Sequence, residues 1–340
     1  MALFSASCQQ WTAIRFHHRP KWPEEAILSV FKQTSTAGLL LAVALCSCSY
    51  ATRYSGDFEQ LGTSARATGM GGAAVASASD PSAIYYNPSL SSRFERTEAL
   101  FLHSEDFSGL VKHNYLGISF RGQLQSLGLA VLHNGVPGIK LTELPNETLP
   151  PGENNRPRIK STVSANQLVG YVNYARTLNP YLTLGGNAKV IYQNLSVGSC
   201  FGMGLDLGAT VTPMSDLDVG MRCRNVSTSP LFWDTGTREY IEPSIALGLA
   251  KTFRMSRDRL TLAFESEANL EGTSLSPSMG VEYAFRNVLF GRLGVYHGNL
   301  SFGLGLKFKR IHIDYGYASG IAPDAREMGS PQQVSGGVEF

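Results

Sequence analysis

His312 and Asp314 stand two residues apart on what alternation makes one face of a strand, the types and spacing of an acid/base pair. No nucleophile accompanies them, and no Ser/His/Asp or Cys/His set can be assembled elsewhere, so enzymatic chemistry is not expected. A larger set of mixed sign, Lys189, Asp206, Arg222, Glu265, Glu282 and Arg292, joins these two on the polar side of alternating segments. Such a set can line a water-filled path or pair internally. Gly69-Met70-Gly71-Gly72 invites comparison with a phosphate-cradling loop, but no strand precedes it and no βαβ unit follows, which rejects a dinucleotide site. Neither a CxxC pair nor an HExxH motif is present, so no metal and no cofactor are expected.

The elements that position these residues read as strands. Phe302, Leu304, Leu306 and Phe308 alternate with Ser301, Gly303, Gly305 and Lys307, and after a turn Ile311, Ile313, Tyr315 and Tyr317 alternate with His312, Asp314, Gly316 and Ala318. Strict period-two alternation marks strands whose two faces meet different solvents. Counting back from Phe340, strands are expected near 98–104, 112–121, 124–133, 164–176, 181–194, 202–212, 217–225, 244–253, 260–267, 278–285, 288–297, 299–308, 311–318 and 333–340. Turns near Gly122, Asn179, Met214, Arg257, Asn287 and Lys309 are short, while connections around 134–163, 226–243, 268–276 and 319–332 are long. Short turns on one rim and long loops on the other are the outer-membrane signature. The expected fold is all-β, a transmembrane antiparallel β-barrel of about 14 strands with an N-terminal lumenal plug segment, both termini returning to the periplasm.

Composition agrees. The chain of 340 residues is 16% charged and 43% hydrophobic, with a mean hydropathy of -0.07, too polar for helical spans yet suited to strands that are half lipid-facing. The formal net charge is +2 with basic residues scattered, so no nucleic-acid partner is expected. The one basic run, Lys307-Phe308-Lys309-Arg310, reads as a solvated turn.

Residues 1–51 read as an N-terminal extension and signal peptide, 52–97 as a periplasmic or plug segment, and 98–340 as the barrel. Ala37 to Leu45 is a short apolar run after Lys32, followed by a Ser49-Tyr50-Ala51 cleavage site, too short for the ~20 residues of a spanning helix. Export through the inner membrane to the outer membrane is the expectation. Leu45-Cys46-Ser47-Cys48 offers lipidation at Cys48 as an alternative, and residues 1–30 fit no secretory n-region, which points to a translation start near Ile27 to Val30. Cys200 and Cys223 remain in the barrel, offset on neighbouring strands, where a disulfide is not expected. The last strand ends Val338-Glu339-Phe340, and a terminal aromatic on an alternating strand resembles the signal read by barrel-assembly machinery; Phe340 is assigned that role.

Residues 62–89, GTSARATGMGGAAVASASDPSAIYYNPS, differ from every strand downstream. The pattern Ser64-Ala65-Arg66-Ala67-x-Gly69-Met70-Gly71-Gly72-Ala73, followed by Asp80-x-Ser82-Ala83-x-Tyr85-Tyr86-Asn87-Pro88, resembles the N-terminus of FadL-like outer-membrane barrels, most closely their PorV/PorQ branch. Ser89-Leu90 departs from the Asn-Pro-Ala and Gly-Leu continuation usual in the family. The resemblance implies a fourteen-stranded barrel with its N-terminal segment folded into the lumen, built on Arg66, Gly69, Gly71, Gly72, Asp80, Asn87 and Pro88. It implies binding or passage of hydrophobic small molecules, or, in the PorV/PorQ branch, a component of type IX protein secretion or surface attachment. The partners so implied are outer-membrane lipids, the assembly machinery, and a hydrophobic ligand or secreted proteins. Physically, the glycines allow close backbone approach in a crowded lumen, and Asn87-Pro88 sets an extended-to-turn exit.

Overall fold

A computed structural model describes residues 56–319 and 331–340, apart from 108, 197, 227, 270–274 and 297–298. The signal, the lipidation candidate Cys48 and the start-site region therefore lie outside the described residues. Fourteen strands close into an antiparallel barrel. They are β1 (Glu98–Asp106), β2 (Val111–Arg121), β3 (Gln125–Glu143), β4 (Arg158–Asn179), β5 (Leu182–Asn194), β6 (Ser199–Met214) and β7 (Leu217–Arg224), then β10 (Ser244–Met255), β11 (Asp258–Asn269), β12 (Leu275–Phe285), β13 (Leu289–Tyr296), β14 (Asn299–Phe308), β15 (Ile311–Ala318) and β16 (Gln332–Glu339). Each pairs with its neighbours in sequence, and closure comes from β1 against β16, with Glu98 opposite Glu339. Closure leaves no free edge, the condition for placing strands in a medium that cannot hydrogen-bond.

Side-chain alternation divides the wall as the sequence pattern requires. On β14, Phe302, Leu304, Leu306 and Phe308 are exposed on the outside, while Ser301, Gly303 and Gly305 are buried within. The same split recurs on β5, where Leu184 and Val190 face out and Thr183, Asn187 and Lys189 face in. The outer face is a continuous apolar belt.

Two connections depart from expectation. Residues 226–243 are not a plain loop: β8 (Ser229–Trp233) continues the line of β7 after a break, pairing with the upper part of β6, and β9 (Arg238–Ile241) folds back on it. Asn225 and Thr228 take positive φ of 52° and 67°, bending the chain at that break. The expected loop 134–163 is likewise partly regular. Val136 to Glu143 of β3 pairs with Arg158 to Ala165 of β4 around a bulge, forming a ribbon beyond the last pairings to β2 and β5. The short-turn rim is as expected, but the opposite rim also contains the brief connection 195–198 between β5 and β6. Cys200 and Cys223 are not joined, since Cys223 lies opposite Leu207 on β6.

Candidate functional site

The lumen is occupied by residues 56–96. A single helical turn, Ala65–Gly69, ends where Gly71 and Gly72 adopt φ of 66° and 83°, and the Gly72 N–H returns to Ala67 O at 2.8 Å. A left-handed pair of this kind terminates a helix without Cβ strain. Asp80 accepts from the Ser82 N–H at 2.8 Å and from Ser64 Oγ at 3.3 Å, fixing the turn into the helix Ala83–Tyr86. Asn87 then caps the 3-10 helix Pro88–Arg93, its side chain accepting from the Ser89 N–H at 3.2 Å with Pro88 in the first position. The Asn87 amide also donates to Val75 O at 2.7 Å and Thr210 Oγ1 at 3.1 Å, tying two parts of the plug to the wall.

Small residues let this backbone touch the wall directly. A Cβ on Gly69 would lie 2.9 Å from Gly303 Cα, and one on Gly71 would lie 2.7 Å from Val295 N and 2.8 Å from Met279 O. In the wall, Gly294 faces Gly71 and Met70, Gly280 faces Met70, Gly316 faces Ala65, Gly220 faces Val75 and Gly208 faces Pro88. Inward glycines of β6, β7, β12, β13, β14 and β15 thus form a girdle on which the plug's main chain rests. Side chains there would hold it off.

The charged residues fall into two groups. In the first, the Glu282 carboxylate is held by Arg66 of the plug (Nε 2.8 Å, Nη2 3.0 Å) and by Arg292 of β13 (Nε 2.7 Å), while Arg292 Nη1 reaches Asp314 at 2.6 Å. His312 lies 3.8 Å from Asp314 and 3.6 Å from Glu98, completing a chain toward the short-turn rim. In the second, Lys189 Nζ donates to both carboxylate oxygens of Glu59, at 2.8 and 3.0 Å, and pairs with Asp206 at 3.1 Å. Arg222 pairs with Glu267 at 2.9 Å and donates to Tyr86 O at 3.1 Å. Glu265 accepts from the N–H groups of Ala74 and Val75, both at 2.8 Å. Lys189, Asp206, Arg222, Glu265, Glu282, Arg292 and Asp314 are each buried and His312 is partly so, all pointing inward. A buried charge requires a partner. Much of that partnership comes from the plug, so the set ties the plug to the wall and pairs with itself.

The wall of β1–β5 carries an apolar tract among buried polar residues such as Asp106, His113, Asn134 and Asn173. Leu100 and Leu102 of β1, Tyr115 of β2, Leu132 of β3, Val169 and Tyr171 of β4 and Ile191 of β5 form one buried cluster on the lumen side. Phe58 and Ile84 of the plug, and Leu231 and Ile241 of the β8–β9 hairpin, complete it. Barrel interiors are ordinarily polar, so an apolar tract running from a rim hairpin to a plug is the distinctive feature of this lumen. Three donors around it, Tyr171 Oη, Gln193 Nε2 and Trp233 Nε1, have no hydrogen-bond partner among the described residues.

Sequence reasoning did not find Phe58, Glu59 or Glu98. Glu59 lies outside the plug pattern, and its bond to Lys189 spans 130 positions; only the unusual acidic residue before a small-residue stretch hints at it. On β8, Leu231 is buried and Trp233 packs against the cluster, while Phe232 stays exposed with the Arg238 guanidinium over its ring.

No family model matches the chain, and no curated protein sequence does. Solved structures do. The Pseudomonas putida toluene transporter TodX superposes with a TM-score of 0.55 at 14% identity, covering 82% of this chain and 99% of that one. The CymD monoaromatic hydrocarbon channel gives 0.56 at 14%, over 82% and 98%. A Pseudomonas aeruginosa FadL homologue gives 0.51 at 11%, over 82% and 98%. The chain shares its fold with these structures. Identities this low carry the architecture and nothing finer.

Proposed function

We propose that the protein is a FadL-like barrel of the outer membrane that binds or passes hydrophobic small molecules, with its short turns in the periplasm. The observation that carries this reading is the apolar lumen tract between the β8–β9 hairpin and Phe58 of the plug, opposite a wall that is charged. The tract is covered by Phe58 and Ile84 of the plug, and a ligand that takes their place against the wall gains about 25 cal/mol per Å² of apolar area it buries there. The belt of exposed Leu, Phe, Ile and Val on the outside supports membrane insertion, and the resemblance of the fold to hydrocarbon channels supports the ligand class. The residues derived above then act as a binding wall, with the plug as the floor.

Toluene and a long-chain fatty acid serve as probes. Purified folded barrel is expected to bind at least one of them saturably, and Ala130→Phe, which fills the tract from the β3 wall, is expected to abolish binding while leaving the barrel's heat-modifiable gel mobility intact. A folded barrel that binds neither probe refutes the reading.

A second reading, a PorV/PorQ-type component of type IX secretion or surface attachment, draws on the plug motif and on the β3–β4 ribbon, whose outer edges pair with no other strand among the described residues. Its test is co-purification of exported proteins with the barrel and loss of their surface display on deletion. Normal display in the deletion strain refutes it.

A further inference from the structure

The basic run at 307–310 is one part of a larger arrangement. Three turns of the short-turn rim, between β10 and β11, β12 and β13, and β14 and β15, carry Arg257, Arg286, Lys309 and Arg310, all exposed. None of these four side chains is in an ion pair among the described residues, where the acids of the same sector are otherwise engaged. Asp216 pairs with Arg254 at 2.9 Å. Asp258 accepts from Tyr283 Oη and the Arg286 N–H, and Glu339 pairs with Lys307 and Arg96. The opposite sector of that rim holds fewer cations, chiefly Arg121 and Arg176, and the Arg121 guanidinium is bound to Glu95 O.

A second observation fixes the height of the charges. Lys251 lies over the ring of Phe253 at 5.8 Å, Arg286 over Phe285 at 5.2 Å and Lys309 over Phe308 at 5.3 Å. The three phenylalanines belong to the outward faces of β10, β12 and β14 and are 45%, 43% and 67% exposed, at the last position of the apolar belt on each strand or next to it. A cation set on an aromatic ring at the belt's edge sits at the level of lipid headgroups, its methylenes in the apolar layer and its N–H donors pointing to the interface. Successive turns are separated by two interstrand spacings, roughly 10 Å, so each turn can take a separate headgroup.

We infer that the rim of β10–β15 is a docking arc for anionic glycerophospholipids of the adjoining leaflet, its turns binding headgroup phosphates through Arg257, Arg286, Lys309 and Arg310, of which Arg286 and Lys309 are poised on belt-edge phenylalanines. The partner is a lipid and not a soluble acidic protein, because the cations lie against the belt that the bilayer occupies. The arc spans one side of the barrel, so it makes the lipid shell asymmetric and orients the β10–β15 sector toward anionic patches. Only the membrane-spanning part of the proposed function is needed for this inference, and the ligand is irrelevant to it.

The full barrel is inserted into nanodiscs of phosphatidylethanolamine with a minor fraction of phosphatidylglycerol, and retained lipids are counted by native mass spectrometry. Phosphatidylglycerol is expected to be enriched over its bulk fraction. In R257Q/R286Q/K309Q/R310Q the enrichment should collapse, by about fivefold for each cation that engages a headgroup at low salt, and in wild type it should fade toward 1 M salt, where the screening length is about 3 Å. R121Q/R176Q, on the other sector, should leave it unchanged. Absence of enrichment in wild type, its survival in the fourfold variant, or an equal loss in R121Q/R176Q overturns the proposal. Failure to insert into discs of either composition would instead count against the membrane reading, so the two outcomes are separable.

Discussion

Replacing Glu282 by glutamine tests whether the plug is held by charge. The carboxylate takes two bonds from Arg66 and one from Arg292, but the two guanidinium groups are not equally exposed to its loss: Arg292 keeps Asp314 at 2.6 Å, whereas Arg66 keeps only the Ser77 carbonyl at 2.8 Å. Removing one partner of a buried pair costs about 3–5 kcal/mol, and because glutamine retains an acceptor the lower end applies. About 3 kcal/mol corresponds to roughly a hundredfold in the equilibrium between seated and unseated plug. Amide hydrogen exchange of the inserted barrel reads this directly: protection over 65–78 should fall by about two orders of magnitude, while the strand ladders, whose bonds are untouched, keep theirs. In E282L/R66M both charges leave together, and exchange over 65–78 should return most of the way to wild type, since apolar replacement of a whole buried pair is often neutral. Protection within twofold of wild type in Glu282→Gln would show that the ion pair does not seat the plug. A parallel rise in exchange across the strands would show that plug and wall unfold as one unit.

Gly294→Val places a side chain against Gly71 N and the Met70 carbonyl carbon; backbone cannot yield as a flexible side chain would, so the plug should be displaced and single-channel conductance should rise above the wild-type level, unchanged conductance being the contrary result. Phe58→Ala should cost about 3–5 kcal/mol of plug stability and leave an apolar space within the cluster that includes Leu132, Ile191 and Leu231, so toluene should bind more tightly, as apolar cavities take up aromatic ligands; equal or weaker binding in titration calorimetry would place the ligand elsewhere. Deletion of Phe340 should leave the thermal stability of refolded barrel nearly unchanged, because the ring is 64% exposed and the residue contributes one backbone bond to Thr97 O at 2.8 Å, yet should deplete the protein from outer-membrane fractions. Normal yield there would remove Phe340 from the assembly role.

The wall was legible in the sequence and most of the lumen was not, for one physical reason. Alternation is imprinted wherever a strand has lipid on one side, so all fourteen barrel strands stood out. It vanishes where both faces meet water, which is why the upper β3–β4 ribbon, with Arg158 to Ser161 exposed throughout, passed for loop. The β8–β9 hairpin escaped for a related reason, being five and four residues long with turn residues between. Signs of the lumen charges could be read, but their partners depend on strand register, which brings Glu282 opposite Arg292 and leaves Arg66 to approach from a segment over two hundred positions away. The glycines of the wall were likewise visible one strand at a time. That they meet at one height, beneath a plug whose own glycines face them, follows only from the shear of the closed barrel.

This division of the lumen constrains how a ligand could pass. Lifting the whole plug would strip Arg66 from Glu282, Glu59 from Lys189 and the Ala74 and Val75 N–H groups from Glu265 in one event, leaving three charged wall positions without their plug partners. Each loss costs several kcal/mol while the site stays dry, and together they exceed what binding one small apolar molecule supplies, at best about 1.5 kcal/mol per non-hydrogen atom and less for larger ligands. A smaller movement is sufficient. The segment around Phe58 meets the apolar wall and is held by one ion pair, Glu59–Lys189, and by neutral hydrogen bonds such as Asn134 Nδ2 to Phe58 O at 2.7 Å and Gln333 Nε2 to Leu61 O at 3.1 Å, whereas residues 65–76 are fastened by the girdle and the other carboxylates. Turning the Phe58 side chain out of the cluster leaves Glu282, Glu265 and Lys189 with their partners, so for a ligand entering the tract a movement at the first turn of the plug breaks fewer buried charge contacts than lifting the plug whole.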